Sequence, residues 1–427
     1  MQEKHPKGLY MLFGVEMWER FSFYGMRALL VLYMTKQLLF TTEQAGKLYG
    51  WYQGLVYLTP LIGGYISDKY LGTRKAIIIG GLLMAMGQFV LSVQTLPFFY
   101  TALTLIILGN GFFKPNISTI VGGLYGDNDP RRDGGFTIFY MGINLGALMA
   151  PFICGYLGEK VGWSYGFSAA GVGMLCGLAL FIWGKDRYLG TIGILPAGRE
   201  VKTADNKVVE KAPLTTEEKQ RIAVIFIMAF FTIFFWACFE QAGSSLTLFA
   251  DRNVNRRIFG WEMPASFFQA VNPLFIMIFA PLFSKLWIGL SKKNMEPSTP
   301  FKFAWGLLAL GCGYILLLAG VHALQFGPVS MFWLIGAYFF HTMGELCLSP
   351  VGLSMVTKLA PAQFASLLMG TWFAASALGD FTAGLYASNF DKMSPTQFFL
   401  YPTLFAFGAA IVVYLMVEPI KRWMHGK

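Results

Sequence analysis

The chain has 427 residues, of which 55% are hydrophobic, 17% aromatic and only 13% charged. A chain this apolar cannot keep a water-facing surface around a core, so its solvent is lipid. The formal net charge of +10 raises nucleic acid as a partner, but the basic residues sort by loop instead of forming one patch, which excludes that class.

Apolar stretches of roughly 20 residues, the length that crosses ~30 Å of hydrocarbon as a helix, recur along the sequence, while the ~10-residue alternating segments of a barrel do not. The expected fold class is an all-α integral membrane protein of about twelve transmembrane helices. Spans are predicted near residues 9–35, 46–66, 74–94, 97–120, 135–157, 163–184, 221–249, 266–290, 302–322, 330–356, 363–388 and 397–418. The first follows a short charged leader and contains Glu16, Glu19 and Arg20. It is therefore not the h-region of a cleaved signal peptide and is expected to be retained. With the N-terminus inside, about 23 Lys and Arg fall in cytoplasmic segments and about 7 in outer loops. This predicts an inner-membrane protein with both termini cytoplasmic.

Residues 185–220 break the apolar pattern and carry about eight basic residues mixed with acids, as a cytoplasmic linker does. They divide the chain into an N-terminal six-helix bundle, residues 1–184, and a C-terminal six-helix bundle, residues 221–427. That is the arrangement of parallel repeats facing one central cavity, although the halves share little visible sequence. Cys154, Cys176, Cys238, Cys312 and Cys347 all fall inside predicted spans without metal-site spacing, and are expected to be small packing residues.

A Lys, Arg, Asp or Glu at mid-membrane costs roughly 2.5–3.5 kcal/mol on insertion scales, so each needs a partner, a cavity or a function. The first span carries Glu16, Glu19, Arg20 and Arg27, the fourth Lys114, the seventh Glu240, the tenth Glu345 and the eleventh Asp380. Carboxylates outnumber cations, so not every one can be both ionised and paired, and at least one is a candidate for reversible protonation. At 100° per residue Glu16, Glu19, Arg20, Phe23, Tyr24 and Arg27 fall within about 140°, which predicts one wet face with Arg27 about 10 Å beyond Arg20 along the axis. Lys114 precedes Pro115, whose missing N–H frees backbone groups beside the ammonium and predicts a cavity there. Glu345 precedes Pro350 in an apolar span of the opposite half. A substrate with a carboxylate at one end and an ammonium at the other fits between the cations and Glu345.

The segments EMWERFSFYGMRA (Glu16–Ala28), GGYISDKYLGTRK (Gly63–Lys75), FFKPNIST, FTIFYMGINLGAL (Phe136–Leu148), FWACFEQAGSS (Phe235–Ser245), FFQAVNPLFI and GELCLSPVG run nearly end to end. Together they resemble the proton-dependent oligopeptide transporters of the major facilitator superfamily. The resemblance implies the major facilitator fold and proton-coupled symport of di- and tripeptides by alternating access. It implies that Arg20, Arg27 and Lys114 receive the peptide carboxylate, and that Glu345, with Asn144 and Asn272, receives the ammonium. It further implies that Tyr24, Tyr57, Trp236, Ser349 and Trp372 line side-chain pockets, that Glu16, Glu19 and Glu240 couple protons, and that Asp68, Arg74 and Lys75 form a gating loop. No cofactor beyond the proton and no metal is expected, and the partners are the peptide, protons and membrane lipid around a monomer. Two departures stand out. Phe23 replaces the family's first tyrosine, removing one hydroxyl, and residues 185–220 are too short and polar for the two additional helices of many bacterial relatives. None of His5, His322, His341 and His425 lies on the second helix, where some animal relatives use a histidine for protons.

The nearest alternative is a proton-coupled carrier of nitrate or another small anion, which has no need of Glu345 as an ammonium receptor. A membrane-embedded enzyme needs a nucleophile with its base or a metal set, and neither paired aspartates nor an HExxH pattern is present.

Overall fold

The computed structural model of the protein describes residues 4–126, 129, 131–196, 214–361 and 364–426. Its helices are α1 (Lys7–Lys36), α2 (Thr42–Ile66), α3 (Thr73–Leu91), α4 (Leu96–Gly123), α5 (Arg132–Ala150), α6 (Trp163–Tyr188), α7 (Thr216–Phe239), α8 (Ser245–Asn253), α9 (Val271–Lys292), α10 (Thr299–His322), α11 (Met331–Leu359), α12 (Ala365–Ala387), α13 (Pro395–Leu415) and α14 (Val417–Met424). Four two-residue strands, β1 (Val254–Asn255), β2 (Arg257–Ile258), β3 (Trp261–Glu262) and β4 (Val329–Ser330), lie in the loops.

Every predicted span coincides with a helix, and nine helical stretches among the described residues are long and apolar enough to cross a membrane. Helices α1, α2 and α12 occupy the remaining predicted spans with 30, 25 and 23 residues. Apart from the four short strands, the described residues form the helical membrane protein expected. Helix α7 begins where the sequence LTTEEK places a capping box: the Glu218 N–H donates to Thr215 Oγ1 (3.2 Å) and Glu218 Oε2 accepts from the Thr215 N–H (2.9 Å). Residues 197–213 of the predicted linker lie outside the described residues.

The chain forms two compact units, Met1–Leu38 with Leu55–Lys207 and Leu39–Gly54 with Val208–Lys427. The first half of α2 therefore belongs to the second unit, which the division at residues 185–220 does not anticipate. The cause is steric. Gly46, Gly50 and Gly54 bring the α2 backbone against Ser388, Phe381 and Gly384 of α12 and its C-terminus, closer than a side chain allows.

The same device recurs inside each unit. In unit 1, a methyl group built on Gly80 of α3 falls 2.6 Å from the Gly109 carbonyl oxygen, and one on Gly109 of α4 falls 2.6 Å from the Gly80 oxygen. In unit 2, Gly306 of α10 and Gly344 of α11 approach each other in the same reciprocal way, at 2.9 and 2.6 Å. The third and fourth predicted spans of each half thus share one contact, a repeat that glycine spacing alone does not reveal. Lipid supplies little hydrophobic drive between helices, so such backbone approach is a main source of their association. All five cysteines are free, and Cys154 fills the space left by Gly25.

Substituting Gly109→Leu overpacks this crossing and is expected to cost about 1–3 kcal/mol. It should lower the thermal aggregation midpoint in detergent by several degrees. Gly408→Ala, with nothing within 4 Å of the new methyl, should leave the midpoint unchanged or raise it slightly.

Candidate functional site

In unit 1 the charged stripe of α1 is enclosed by protein. Glu16, Glu19, Arg20, Phe23 and Arg27 are all buried, and only Tyr24 retains partial exposure. The expected wet face is corrected accordingly: α5 packs along one flank of the stripe at Gly146, and α6 seats against the opposite side of α1. Added methyl groups at Gly146 of α5 and at Gly173 and Gly177 of α6 overlap the backbone or side chains of Met17, Arg20, Phe21 and Trp18.

Arg20 is held between two carboxylates of its own helix. Its Nε lies 3.0 Å from Glu16 Oε1 and is also paired with Glu19. The guanidinium stands over the Phe23 ring at 5.5 Å, so this residue offers a cation–π face without a phenolic hydroxyl. Arg27 stands over Tyr24 at 5.5 Å in the same manner. Glu16 Oε2, Glu19 Oε1 and Arg20 Nη2 are buried without a hydrogen-bond partner among the described residues. Such a cluster is under-satisfied, and a ligand bearing a carboxylate or a proton relieves it.

Lys114 completes the cluster. Its Nζ sits 3.8 Å above the Tyr57 ring, and it is near enough to act electrostatically on both Glu16 and Glu19. The position follows from Pro115, which cannot donate to the Gly111 carbonyl one turn back. That carbonyl lies against the Cα of Gly63 on α2, where any Cβ overlaps it. Asn116 steadies the same turn, donating to the Phe112 oxygen (2.7 Å) and accepting from Ser67 Oγ (2.6 Å). Asn144 of α5 is buried and spends its Nδ2 on the Tyr140 carbonyl of its own helix (3.0 Å), leaving its oxygen to serve any ammonium.

In unit 2 the corresponding helix α11 carries Glu345. Asn272 of α9 donates through Nδ2 to Glu345 Oε2 (2.8 Å) and to Thr342 Oγ1 (3.0 Å), and Thr342 in turn donates to the Tyr338 carbonyl (2.7 Å). Asn272 therefore orients the carboxylate, and Thr342, one turn before it, is a positioning residue that the sequence did not single out. Glu240 is buried in the 3-10 turn Glu240–Gly243 that ends α7. Trp236 packs edge-on to Phe235 and Phe239 and remains partly exposed, as does Ser349. Trp372 is buried, its ring edge lying where a side chain on Gly352 would fall and its plane 6.1 Å from the Phe303 ring. Asp380 on α12 is also buried.

The expected gating loop divides. Asp68 and Lys75 are exposed, whereas Arg74 is buried and clamps the first part of the linker. Its Nε donates to the Ile192 carbonyl (2.7 Å), its Nη2 to the Gly190 carbonyl (2.5 Å) and its Nη1 to Asp186 (3.0 Å), while the Arg74 N–H donates to the Gly193 carbonyl (3.1 Å). The guanidinium fork suits this convergence of acceptors.

The chain matches the POT family over residues 74–194 and 195–401. It is 36% identical to the peptide transporter YePEPT of Yersinia enterocolitica, with 99% of this chain and 96% of that protein aligned. It is 32% identical to a di-/tripeptide transporter of Lactococcus lactis subsp. cremoris, covering 98% and 96%. Among solved structures it resembles a mutant peptide transporter POT in complex with alafosfalin, with a TM-score of 0.91, 34% identity and coverage of 99% and 96%. It also resembles a POT family transporter in complex with 5-aminolevulinic acid, with a TM-score of 0.89, 31% identity and 97% of each chain. Fold and relatives thus define a multi-pass membrane protein of the transporter class. The chain belongs to the POT family.

Arg74→Ala removes three of the acceptors' donors at once. Amides of residues 190–195 are expected to exchange with deuterium at least tenfold faster than in the unaltered chain, with α13 unchanged; equal rates in the linker segment would contradict the clamp.

Proposed function

We propose that the protein is a proton-coupled symporter of di- and tripeptides working by alternating access. The observation that carries this reading is the Glu16–Arg20–Glu19 cluster beside Lys114 in unit 1. Two carboxylates share a buried arginine and a nearby lysine, so a third carboxylate brought by substrate competes for the same cations. A glutamate that loses its partner in a low dielectric takes up a proton, and the pair of ligands then moves together.

Each pole of a zwitterionic peptide has a chemical match. Arg20, Arg27 and Lys114 suit the carboxylate, arginine as a planar fork and lysine as a point charge. Glu345, oriented by Asn272, suits the ammonium. Asn144, Tyr24, Tyr57, Trp236 and Ser349 are the residues proposed to contact the remainder of the peptide, with Trp372 supporting them from the core. Glu240 joins Glu16 and Glu19 as a proton-coupling group. The relatives named as peptide transporters support this substrate class. The excess of Lys and Arg in the segments assigned to the cytoplasm supports an inner-membrane location with both termini cytoplasmic. The protein is proposed to work as a monomer, with no cofactor besides the proton.

The decisive experiment is uptake of labelled dialanine into proteoliposomes with and without an inward pH gradient, with nitrate as competitor. Gradient-dependent accumulation insensitive to nitrate is expected. Nitrate uptake without peptide uptake overturns the assignment.

Glu19→Gln should abolish gradient-driven uptake yet preserve counterflow exchange, since exchange moves no net proton. Undiminished gradient-driven uptake would refute its role. Lys114→Ala leaves buried carboxylates short of a cation, a change that costs about 3–5 kcal/mol when a buried pair is broken, and transport should fall at least tenfold. Glu345→Gln should weaken peptides with a free N-terminus, measured as KM, while N-acetylated peptides remain equally poor substrates of both forms.

A further inference from the structure

Between α8 and α9 in unit 2, residues 254–263 form a small platform. Strand β1 pairs in parallel with β4, Val254 with Val329 and Asn255 with Ser330, so it is fixed beside the first residue of α11. Strands β2 and β3 then make a two-residue hairpin, Arg257 opposite Glu262 and Ile258 opposite Trp261. Arg256 locks its base. The guanidinium reaches Asp251 (3.1 Å), Glu262 (3.0 Å) and the Met263 carbonyl (2.5 Å), and the Met263 N–H returns to the Arg256 carbonyl (3.0 Å).

The apex of the hairpin is Phe259–Gly260, with φ of 50° and 85°. Both central residues of such a turn need positive φ, which Asn–Gly supplies at least cost and a bulky aromatic supplies poorly. Turn chemistry therefore does not account for phenylalanine here. Its surroundings do not either, because Phe259 is 105% exposed, flanked by Ile258 at 36% and Trp261 at 44%. The Trp261 ring meets Phe267 at 6.1 Å and so is held in place while it stays exposed.

The hairpin is tied to the ends of two membrane-crossing helices. The spans Thr299–Phe326 and Met331–Leu359 end and begin at this level, and their terminal residues Phe326 and Phe332 are 86% and 75% exposed. The β1–β4 ladder ties the hairpin to the segment joining those two spans. At about 3.3 Å per extended residue the four steps from Asn255 to Phe259 put the apex at most about 13 Å from the ladder, within reach of the headgroup layer that flanks the hydrocarbon. Aromatic side chains concentrate in that layer, where an apolar ring and a polar backbone are both accommodated.

We propose that the β2–β3 hairpin is a membrane-interface anchor: Ile258, Phe259 and Trp261 insert among lipid headgroups beside Phe326 and Phe332. Anchoring one loop of unit 2 in the leaflet fixes the height of the unit's outer-facing end, independently of what the transporter carries.

The test places a bimane label at Phe259→Cys in a chain whose five cysteines are replaced by alanine, reconstituted in phosphatidylcholine–phosphatidylglycerol vesicles. Lipid carrying a headgroup nitroxide is expected to quench the label several-fold more strongly than aqueous iodide. Quenching by iodide as efficient as that of free label overturns the anchor. So does protection from both quenchers, which marks a protein surface such as a second copy, and so does a signal that changes only when peptide is added, which marks a substrate lid. Should the cysteine-free chain fail to fold, the difference in tryptophan quenching by shallow-brominated lipid between the unaltered chain and Trp261→Phe decides the question. A loss of quenching in the variant is expected, and none overturns the proposal. Neither readout requires transport, so its failure is distinct from failure of the peptide assignment.

Discussion

A guanidinium taken out of water must be met by acceptors, and in unit 1 the acceptors come from the same helix as the cation. Arg20 is paired with Glu16 one turn before it and with Glu19 next to it. Breaking a buried pair of this kind by removing one partner costs several kcal/mol, because the survivor remains charged in a low dielectric. The rest of the unit serves this arrangement. Gly146 lets α5 close on one flank of the stripe while Gly173 and Gly177 seat α6 behind α1, Phe23 offers its ring face to the guanidinium, and Pro115 with Gly63 sets where Lys114 emerges from α4. Lys114 then supplies the second positive charge that two carboxylates require.

The two units use one scaffold for opposite charges. Gly80 meets Gly109 across α3 and α4, and Gly306 meets Gly344 across α10 and α11. Just past the contact, α4 carries Lys114 and α11 carries Glu345. Both helices contain a proline within a few residues of the charge, Pro115 and Pro350, so both deliver an ionisable side chain where the regular ladder is interrupted. A repeat of backbone contacts survives here with little shared sequence, because only the small residue at the crossing is constrained, and neighbouring side chains are set by chemistry instead.

The helices were legible because hydropathy and length decide them in lipid, and the charged stripe of α1 was legible because spacing along one helix fixes which residues share a face. What flanks that face was not, since nothing within α1 announces Gly146 of α5. The partners of Arg74 eluded the sequence for a different reason. Its principal partners are the carbonyls of Gly190 and Ile192, and any residue type supplies a carbonyl. Trp372 enters only through the family resemblance, and its packing against Gly352 twenty residues earlier carries no signal within its own helix. The assignment of residues 39–54 to unit 2 depends likewise on glycines meeting across a long separation in sequence, where composition carries no signal.

Placing both carboxylates on the helix of the cation has a consequence for coupling. Were Glu16 and Glu19 on a different helix from Arg20, exchanging one carboxylate partner for another would separate two helices, and proton uptake would be inseparable from a large motion. With spacings of one and four residues, a substrate carboxylate can displace either glutamate from the guanidinium through side-chain rotation alone, since the backbone already holds the groups in reach. Under the proposed reading, protonation then precedes the movement of the units. Rotamer exchange is fast and collective motion slow, so the charge state is settled before the slower step is committed. The order matters energetically: a helix bundle that rocks while carrying a bare glutamate moves an unpaired charge, whereas one that rocks after protonation moves a neutral acid, at far lower desolvation cost.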